Sequence, residues 1–506
     1  MLPRVIRRVL AGFLVAVAFV TVGCDSSSKQ AEQRAAPKKP KGPPPPTQHF
    51  RSRPDLKPPP VRILNAAHAT APGYVFLAPK MKVVQAGPMI LDDRGQVVWF
   101  HPLSTHGVAD FKVQRYHGKP VLTWWRGRAT TSGVGSGYYA LYDDRYRELA
   151  QVRAGHGYSG DIHEFVITPQ NTALFTVYHQ LHVDLTPIGG PKEGRIFDGI
   201  VQEVDIPSGK VLFEWHSWPA VGLKESYAPP PAKAKGKKAP PDDYIHLNSI
   251  EIEPNGNFLV SARNTRALYE IDRKTGKILW RLGGKKSDFK MGPGTTFAWQ
   301  HDARRQDDGT ITIFDNGAFP PVEKFSRVLV LKVDEQAKRV TLVRSYRHPK
   351  RLLVPFEGNA QFLPNGNVFV DWGAVPYFTE FDRGGRTLLD ASFGKGIARI
   401  TKPGQDADTY RAFRFVWHGH PTDRPAVAVS AGKLYVSWNG ATEVAKWQLL
   451  SGQGQGSLRP GATVAKRGFE TALALRGVGG AYVAARALDR NGRILGTSRA
   501  VRSTSG

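Results

Sequence analysis

Hydrophobic and polar positions alternate in short runs along most of the chain, and the runs come in two recurring forms. One is a strand, a tight turn and a second strand, as in HEFVITPQNTALFTVY (163–178), HLNSIEIEPNGNFLVSAR (246–263), HDARRQDDGTITIFDN (301–316) and NAQFLPNGNVFVDW (359–372). The other is a strand, an aspartate, a Gly-containing turn and a strand rich in aromatics, as in MILDDRGQVVWF (89–100), VQEVDIPSGKVLFEW (201–215), YEIDRKTGKILWRL (269–282) and FTEFDRGGRTLL (378–389). Asn-Gly, Asp-Gly and Ser-Gly between alternating apolar runs are hairpin signals. Two hairpins per unit make a four-stranded antiparallel blade, and Asp143, Asp205, Asp272, Asp334 and Asp382 mark the successive units. The expectation is an all-β chain: a β-propeller of roughly six blades over 61–420, an arrangement that leaves few exposed edges for so many short strands.

From about 421 the pattern changes. VAVSAGKLYVSW, EVAKWQLLSG, FETALALR and AYVAARALDRNGRILGTS read as strands of a small C-terminal sandwich over 421–506. The order of Trp438, the VAKWQ strand and Tyr482 in a late strand suggests an immunoglobulin- or fibronectin-like domain. Ala228–Pro241 is a basic, Pro-rich insertion within the propeller.

The N-terminus carries a different message. Arg4, Arg7 and Arg8 precede an apolar stretch from Val9 to Val22, and Thr21-Val22-Gly23-Cys24 follows. Residues 1–24 read as a lipoprotein signal peptide, with Cys24 as the lipid-bearing residue. Residues 25–60, rich in Ser, Lys and Pro, read as a disordered tether. The expected location is extracytoplasmic, with the membrane as partner through the N-terminal lipid. Cys24 is the single cysteine, so no intrachain disulfide can form.

The net charge of +27 raises the question of nucleic acid. Part of the excess sits in the first 60 residues, the rest is spread along the chain and no nucleic-acid motif accompanies it, which favours a solvated basic surface over a nucleic-acid partner. Oligomeric state is not legible.

Candidate chemistry lies in the first kind of hairpin. With Asn255-Gly256 as a two-residue turn, Asn248 faces Arg263 and His246 shares their face. The same construction sets His163 opposite Tyr178, His301 opposite Asn316, and Asn359 opposite Trp372. Any one such histidine is most simply a structural hydrogen-bonding group. Three at equivalent positions, beside an arginine that would be costly to bury unpaired, point to an anionic ligand such as sulfate, phosphate or carboxylate. Three histidines can bind zinc, but their spacing, the lack of a carboxylate in the set and the nearby Arg263 argue against a metal, and none is expected.

At DIHEF (161–165), HLNSIEIEPNGNFLVSAR, LGGKKSDF (282–289), QHDARRQDDGTITIFDNG (300–317) and GNAQFLPNGNVFVDWG (358–373) the sequence resembles the bacterial arylsulfotransferase family, which works without phosphoadenosine phosphosulfate. The resemblance implies a histidine nucleophile that carries a sulfuryl group, at His301, with His246, His163, Arg263 and Asn248 completing the catalytic set. It implies a phenolic sulfate donor, a phenolic acceptor and no cofactor. Tyr178, Asn316 and Trp372 are candidates for the aryl slot. The family's periplasmic enzymes have a disulfide and an N-terminal sandwich; this chain has neither, and looks like a divergent, lipoprotein-like branch. A non-catalytic propeller that binds an anionic ligand or wall polymer, and a sulfate or phosphate ester hydrolase, are the alternatives.

Overall fold

The computed structural model describes residues 43–130, 132–230, 239–400 and 404–504. The signal peptide with Cys24, the tether up to residue 42 and most of the 228–241 insertion lie outside the described residues. The chain divides into two compact units, Met1–Pro44 and Pro45–Gly506, and every strand belongs to the second. The described residues are all-β, with short 3-10 turns at Thr186–Ile188 and Leu223–Glu225 and several antiparallel sheets. None of their helices is long and apolar enough to cross a membrane.

The sheets are meanders whose strands pair in chain order. Leu247–Ile252, Phe258–Ala262, Ala267–Ile271 and Ile278–Gly283 form one. His301–Arg305, Ile311–Asp315, Arg327–Asp334 and Arg339–Tyr346 form another. Asn359–Phe362, Val368–Asp371, Tyr377–Phe381 and Thr387–Phe393 repeat the plan, with Val61–Asn65 added at the outer edge. The strands from Val108–Tyr116 to Glu148–Val152 and those from Gly160–Ile167 to Val211–His216 are two further meanders, joined by the single pair Gly137 and Gly160. The last draws on distant parts of the chain: Ala412–Phe415 pairs with Tyr74–Leu77, which continues to Met89–Leu91 and Val97–Phe100. That pairing covers an edge that would otherwise be open.

The first strands of these meanders touch in a closed circuit. Val108–Tyr116 contacts Gly160–Ile167, which contacts Leu247–Ile252, then His301–Arg305, Asn359–Phe362, Ala412–Phe415 and Val108–Tyr116 again. Because side chains alternate across each strand, both faces of a meander carry apolar residues that pack on its neighbours. Leu259 and Leu268 meet Ile311 and Ile313 in one such layer, and Phe314 and Val328 meet Val368 and Val370 in the next. Each large side chain buried there contributes roughly 1.5–3 kcal/mol of transfer free energy.

Beyond Pro421, Ala426–Ser430, Lys433–Ser437 and Glu470–Ala474 form one antiparallel sheet, and Lys446–Gly452 pairs with Arg459–Ala465 and Tyr482–Leu488 in a second. They share a core of Leu434, Val436, Trp447, Leu449, Leu473 and Val483. Residues 47–60, assigned by composition to the tether, lie against this body. Phe50 packs 4.3 Å from Phe469, the Ser52 hydroxyl donates to Glu470 at 2.6 Å, and Leu56 is buried.

The four hairpins that carry the candidate chemistry depart from the expected register. Each closes through three residues instead of two. Glu253 N–H donates to Asn257 O and Gly256 N–H to Glu253 O; the same pair of bonds recurs at Thr168–Thr172, Gln306–Thr310 and Leu363–Asn367. The third turn residue is left-handed: Asn171 at φ 63°, Gly256 at 85°, Gly309 at 80° and Gly366 at 84°. This is a type I turn closed by a left-handed residue, so only one residue need adopt positive φ. Asn359 therefore pairs with Asp371 instead of Trp372; His301, shifted once by the turn and again by an irregularity between His301 and Arg304, pairs with Phe314 instead of Asn316. An irregularity at Asn248 leaves Arg263 opposite His246, to whose carbonyl it donates at 2.8 Å. A larger irregularity takes His163 out of ladder pairing with Tyr178.

Candidate active site

Three inner strands bring the histidines to one end of the circuit. His163 lies on Gly160–Ile167, His246 immediately precedes Leu247–Ile252, and His301 begins His301–Arg305. All three are buried. The His163 and His246 rings are 4.6 Å apart, and Tyr410 lies 5.5 Å from His163 and 6.5 Å from His301. The register shifts do not disperse the set, because each histidine stays at the same open end of its hairpin.

Every histidine is oriented through Nδ1, but the partners differ. His163 Nδ1 meets Asp161 at 2.5 Å, and His246 Nδ1 meets Asp243. His301 Nδ1 meets the side-chain oxygen of Asn316 at 2.8 Å. The Asn316 amide nitrogen donates to the carbonyls of Val354 and Glu357, at 3.2 and 3.0 Å, which fixes the amide with its oxygen toward the ring. His301 is thereby held as the Nδ1–H tautomer with its lone pair on Nε2, which accepts a long hydrogen bond from the Glu357 N–H at 3.3 Å. Burial first, then the charge of Arg263, holds the His301 imidazole well below its ordinary pKa, against the smaller opposing pull of Asn316. Burial also lowers His246, against the pull of Asp243.

Arg263 supplies positive charge without a direct ion pair, offset only through space by Asp243, whose carboxylate is bonded to His246. Its Nη1 donates to Asn264 at 2.8 Å, its Nε is buried without a partner, and among the described residues it has no ion pair. Burial pulls its pKa down to about 10. Asn248 is fully buried; its amide nitrogen donates to Gln300 O at 2.7 Å and its Oδ1 is unpartnered. Below it the centre of the circuit is filled by ion pairs. Glu164 binds Arg304 at 2.6 Å, Lys112 at 3.0 Å and Arg411 at 3.1 Å, and Arg411 also donates to Asn248 O at 2.8 Å. Charge is thus balanced inside the circuit and unbalanced at Arg263.

Of the three residues expected in the aryl slot, Tyr178 stands beside the histidines, 6.1 Å from the His163 ring and 6.3 Å from that of His246, its hydroxyl donating to Leu247 O. Asn316 lies behind His301. Trp372 is fully buried in the layer between two meanders, 5.7 Å from Phe314 and bonded to Thr379, and is not brought to the histidines. Sequence reasoning missed Asp161, Asp243 and Tyr410, and also Glu357, which sits beside His301 and is held by Lys80 at 2.7 Å. Asp161 and Asp243 were visible two and three residues before their histidines in DIHEF and DDYIH. Among the described residues no group of three or more His, Cys, Asp or Glu is placed to hold a metal ion.

A family profile described as arylsulfotransferase (ASST) matches residues 112–394. No curated protein matches the chain. Among solved structures, a protein of unknown function from Bacteroides caccae matches at 15% identity and TM-score 0.37, covering 65% of this chain and 98% of that one. A virginiamycin B lyase from Staphylococcus aureus, solved with quinupristin, matches at 8% identity and TM-score 0.34, covering 75% and 96%. A protein from Lactobacillus plantarum matches at 11% identity and TM-score 0.35, covering 79% and 99%.

Proposed function

The chain belongs to the arylsulfotransferase family, and we propose that it moves a sulfuryl group from a phenolic sulfate ester to a phenolic acceptor by way of His301. The observation that carries this reading is the pairing of His301 with a neutral amide, next to an arginine that lacks a counter-ion. A nucleophile must be unprotonated and an anionic donor must be held, and the two features meet these needs separately.

In this mechanism the His301 Nε2 lone pair gives up its long bond from the Glu357 N–H and attacks sulfur, an N–S bond forms and the S–O bond to the aryl group breaks. The aryl oxygen leaves with the bonding pair and takes a proton from a histidine. His163 suits that role, because its ring is oriented by the Asp161 carboxylate, whereas burial lowers the pKa of His246. The acceptor phenol then gives its proton to His163, its oxygen attacks sulfur, and His301 is released. Arg263 holds the sulfuryl oxygens, with Asn248 and His246 completing the lining. Tyr178 borders the aryl group. Phenol, with a pKa of about 10, is a tolerable leaving group, whereas an alkoxide would be far worse.

The same reading makes the closed circuit of first strands the hub of a six-bladed propeller over 61–420, and the two sheets with a shared core a C-terminal sandwich over 421–506. The signal-like N-terminus supports lipidation of Cys24 and anchoring outside the cytoplasm.

The test is aryl sulfate turnover with and without added phenol, together with labelling from a radiosulfur donor. Phenol-dependent release, and acid-labile label lost in His301→Ala, are expected. Release indifferent to phenol would make the protein a hydrolase, and no release or label from the folded protein would leave only ligand binding.

A further inference from the structure

Arg263 is the inner end of a row of alternating cations and aromatic rings. Its guanidinium lies 5.1 Å from the Trp299 ring. Arg266 lies 4.3 Å from Trp299 and 4.2 Å from Tyr227, so it is clamped between two rings. Lys285 follows, 4.8 Å from Tyr227; its ammonium donates to the backbone carbonyls of Lys224, at 3.0 Å, and Ser226, which fixes it there with one N–H left over. Exposure rises along the row: Trp299 is buried, Arg263 and Arg266 are half-buried, and Tyr227 and Lys285 are exposed.

Arg266 is held in place but does not spend its donors. Among the described residues its guanidinium makes no hydrogen bond and no ion pair, and its Nε is buried without a partner. The carboxylates nearby are engaged elsewhere: Asp243 binds His246, and Glu225 binds Arg281 and Lys286. The backbone contributes to the placement, since Arg266 sits at φ 51°, in the left-handed region that a side chain rarely adopts. Gly283 and Gly284 admit this turn. A Cβ on Gly283 would lie 2.9 Å from Arg266 O, and one on Gly284 would lie 2.7 Å from Thr265 O. The LGGKKSDF segment thus brings Lys285 beside Tyr227. A guanidinium stacked on both faces keeps its N–H edge free for an anion, and two rings cut the entropy lost when one binds.

We infer that Arg266 and Lys285 form a second anion subsite, so that the aryl sulfate taken by this site carries a further sulfate, sulfonate, carboxylate or phosphate on its aromatic frame. This rests on the sulfotransferase reading for the reacting group, with Arg263 holding that sulfuryl and Arg266 the second anion. A single positive site would take any aryl sulfate; two in a row select a dianion by charge and spacing.

The experiment is calorimetry of the folded protein with benzenesulfonate and meta-benzenedisulfonate, neither of which has a transferable ester. The disulfonate binds at least about tenfold more tightly, as charge-assisted bonds to a second anion require. Arg266→Gln and the exposed Lys285→Gln each reduce that ratio toward one. Equal binding of the two probes, binding of neither, or a ratio that survives both substitutions overturns the inference. A retained, Arg266-dependent ratio in a protein that turns over no aryl sulfate sinks the catalytic reading and leaves the subsite standing.

Discussion

His301 donates from Nδ1 to the side-chain oxygen of Asn316 at 2.8 Å, while the two histidines beside it donate to carboxylates. A carboxylate would stabilise the imidazolium and protect the ring from acting as a nucleophile. An amide fixes the same tautomer without that stabilisation. The difference between these partners divides one cluster of histidines into an electron-pair donor and proton carriers.

Asn316→Asp tests that division. The new carboxylate raises the His301 pKa, so a larger fraction is protonated at neutral pH and unable to attack. In the parent, the acid limb of kcat/KM lies well below the ordinary histidine value, in line with the lowered His301 pKa. In the variant that limb moves up, and activity at neutral pH falls by about tenfold or more. Stability follows the same titration. Between the lowered folded value and about 6.5 the unfolded chain binds a proton that the folded chain does not, so His301 makes stability rise with pH in that window. A pH profile whose acid limb is unmoved by Asn316→Asp removes His301 from the nucleophile's role.

Asp161→Asn and Asp243→Asn separate the proton carriers. If His163 protonates the leaving oxygen, losing the Asp161 carboxylate costs about 10²–10⁴ in kcat with poor leaving groups. The cost shrinks for nitrophenyl sulfates, whose oxide leaves without help. Asp243→Asn costs less, because His246 is already kept neutral by burial. The reverse order, measured across a leaving-group series, would assign the proton to His246.

The succession of meanders was legible because Gly-marked turns punctuate strictly alternating runs. The histidines were legible because their place at the start of a strand does not depend on register. What the Asn-Gly signal by itself could not supply was pairing. Asn255-Gly256 and Asn365-Gly366 fit a two-residue turn with two positive φ angles as well as a three-residue turn with one, and the preceding Pro254 and Pro364 allow only the second. That one-residue difference, with the irregularity at Asn248, moved Arg263 from Asn248 to His246. Trp372 was placed by the same register and belongs to the core. Arg266, Trp299 and Tyr227 come from three separate segments, and no local pattern announces a contact between them.

The turns themselves give a stability test. A Cβ on Gly256, Gly309 or Gly366 would meet nothing within 4 Å, so an alanine there carries only the backbone cost of the left-handed conformation. Each Gly→Ala lowers unfolding free energy by about 1 kcal/mol, and Gly→Asn by less. Denaturant titration of Gly366→Ala and Gly366→Asn measures the difference. Equal effects would mean that residue 366 is not the left-handed member of the turn.

Asp242 gives a pH-dependent one. Burial, with the like charge of Asp243, raises its pKa to about 6. Below the ordinary carboxyl range it is neutral both folded and unfolded, and there is no penalty. Above about 6 it is charged in both states and the folded state bears the penalty, so its contribution falls as pH rises. Asp242→Asn stabilises the protein at pH 7 by on the order of 1 kcal/mol. The gain disappears near pH 4. A gain of the same size at both pH values would trace it to something other than titration.

Arg263 brings stability and function into opposition. Its charge is partly removed from water and makes no ion pair among the described residues, with Asp243 only a through-space offset, so the folded state without ligand carries a desolvation cost. Arg263→Met keeps the unbranched stem of the side chain while discarding the guanidinium, its charge and its contact with Trp299. The unliganded variant should therefore unfold at a higher temperature than the parent, by the equivalent of about 1–3 kcal/mol. It should lose about 10²–10³ in kcat, the range found when a group stabilising transition-state charge is removed. Sulfate separates the two effects: it binds the folded parent and raises its Tm with concentration, and does so much less for the variant. A variant that is less stable than the parent, and equally stabilised by sulfate, would show that Arg263 is a structural residue with its charge satisfied by the fold.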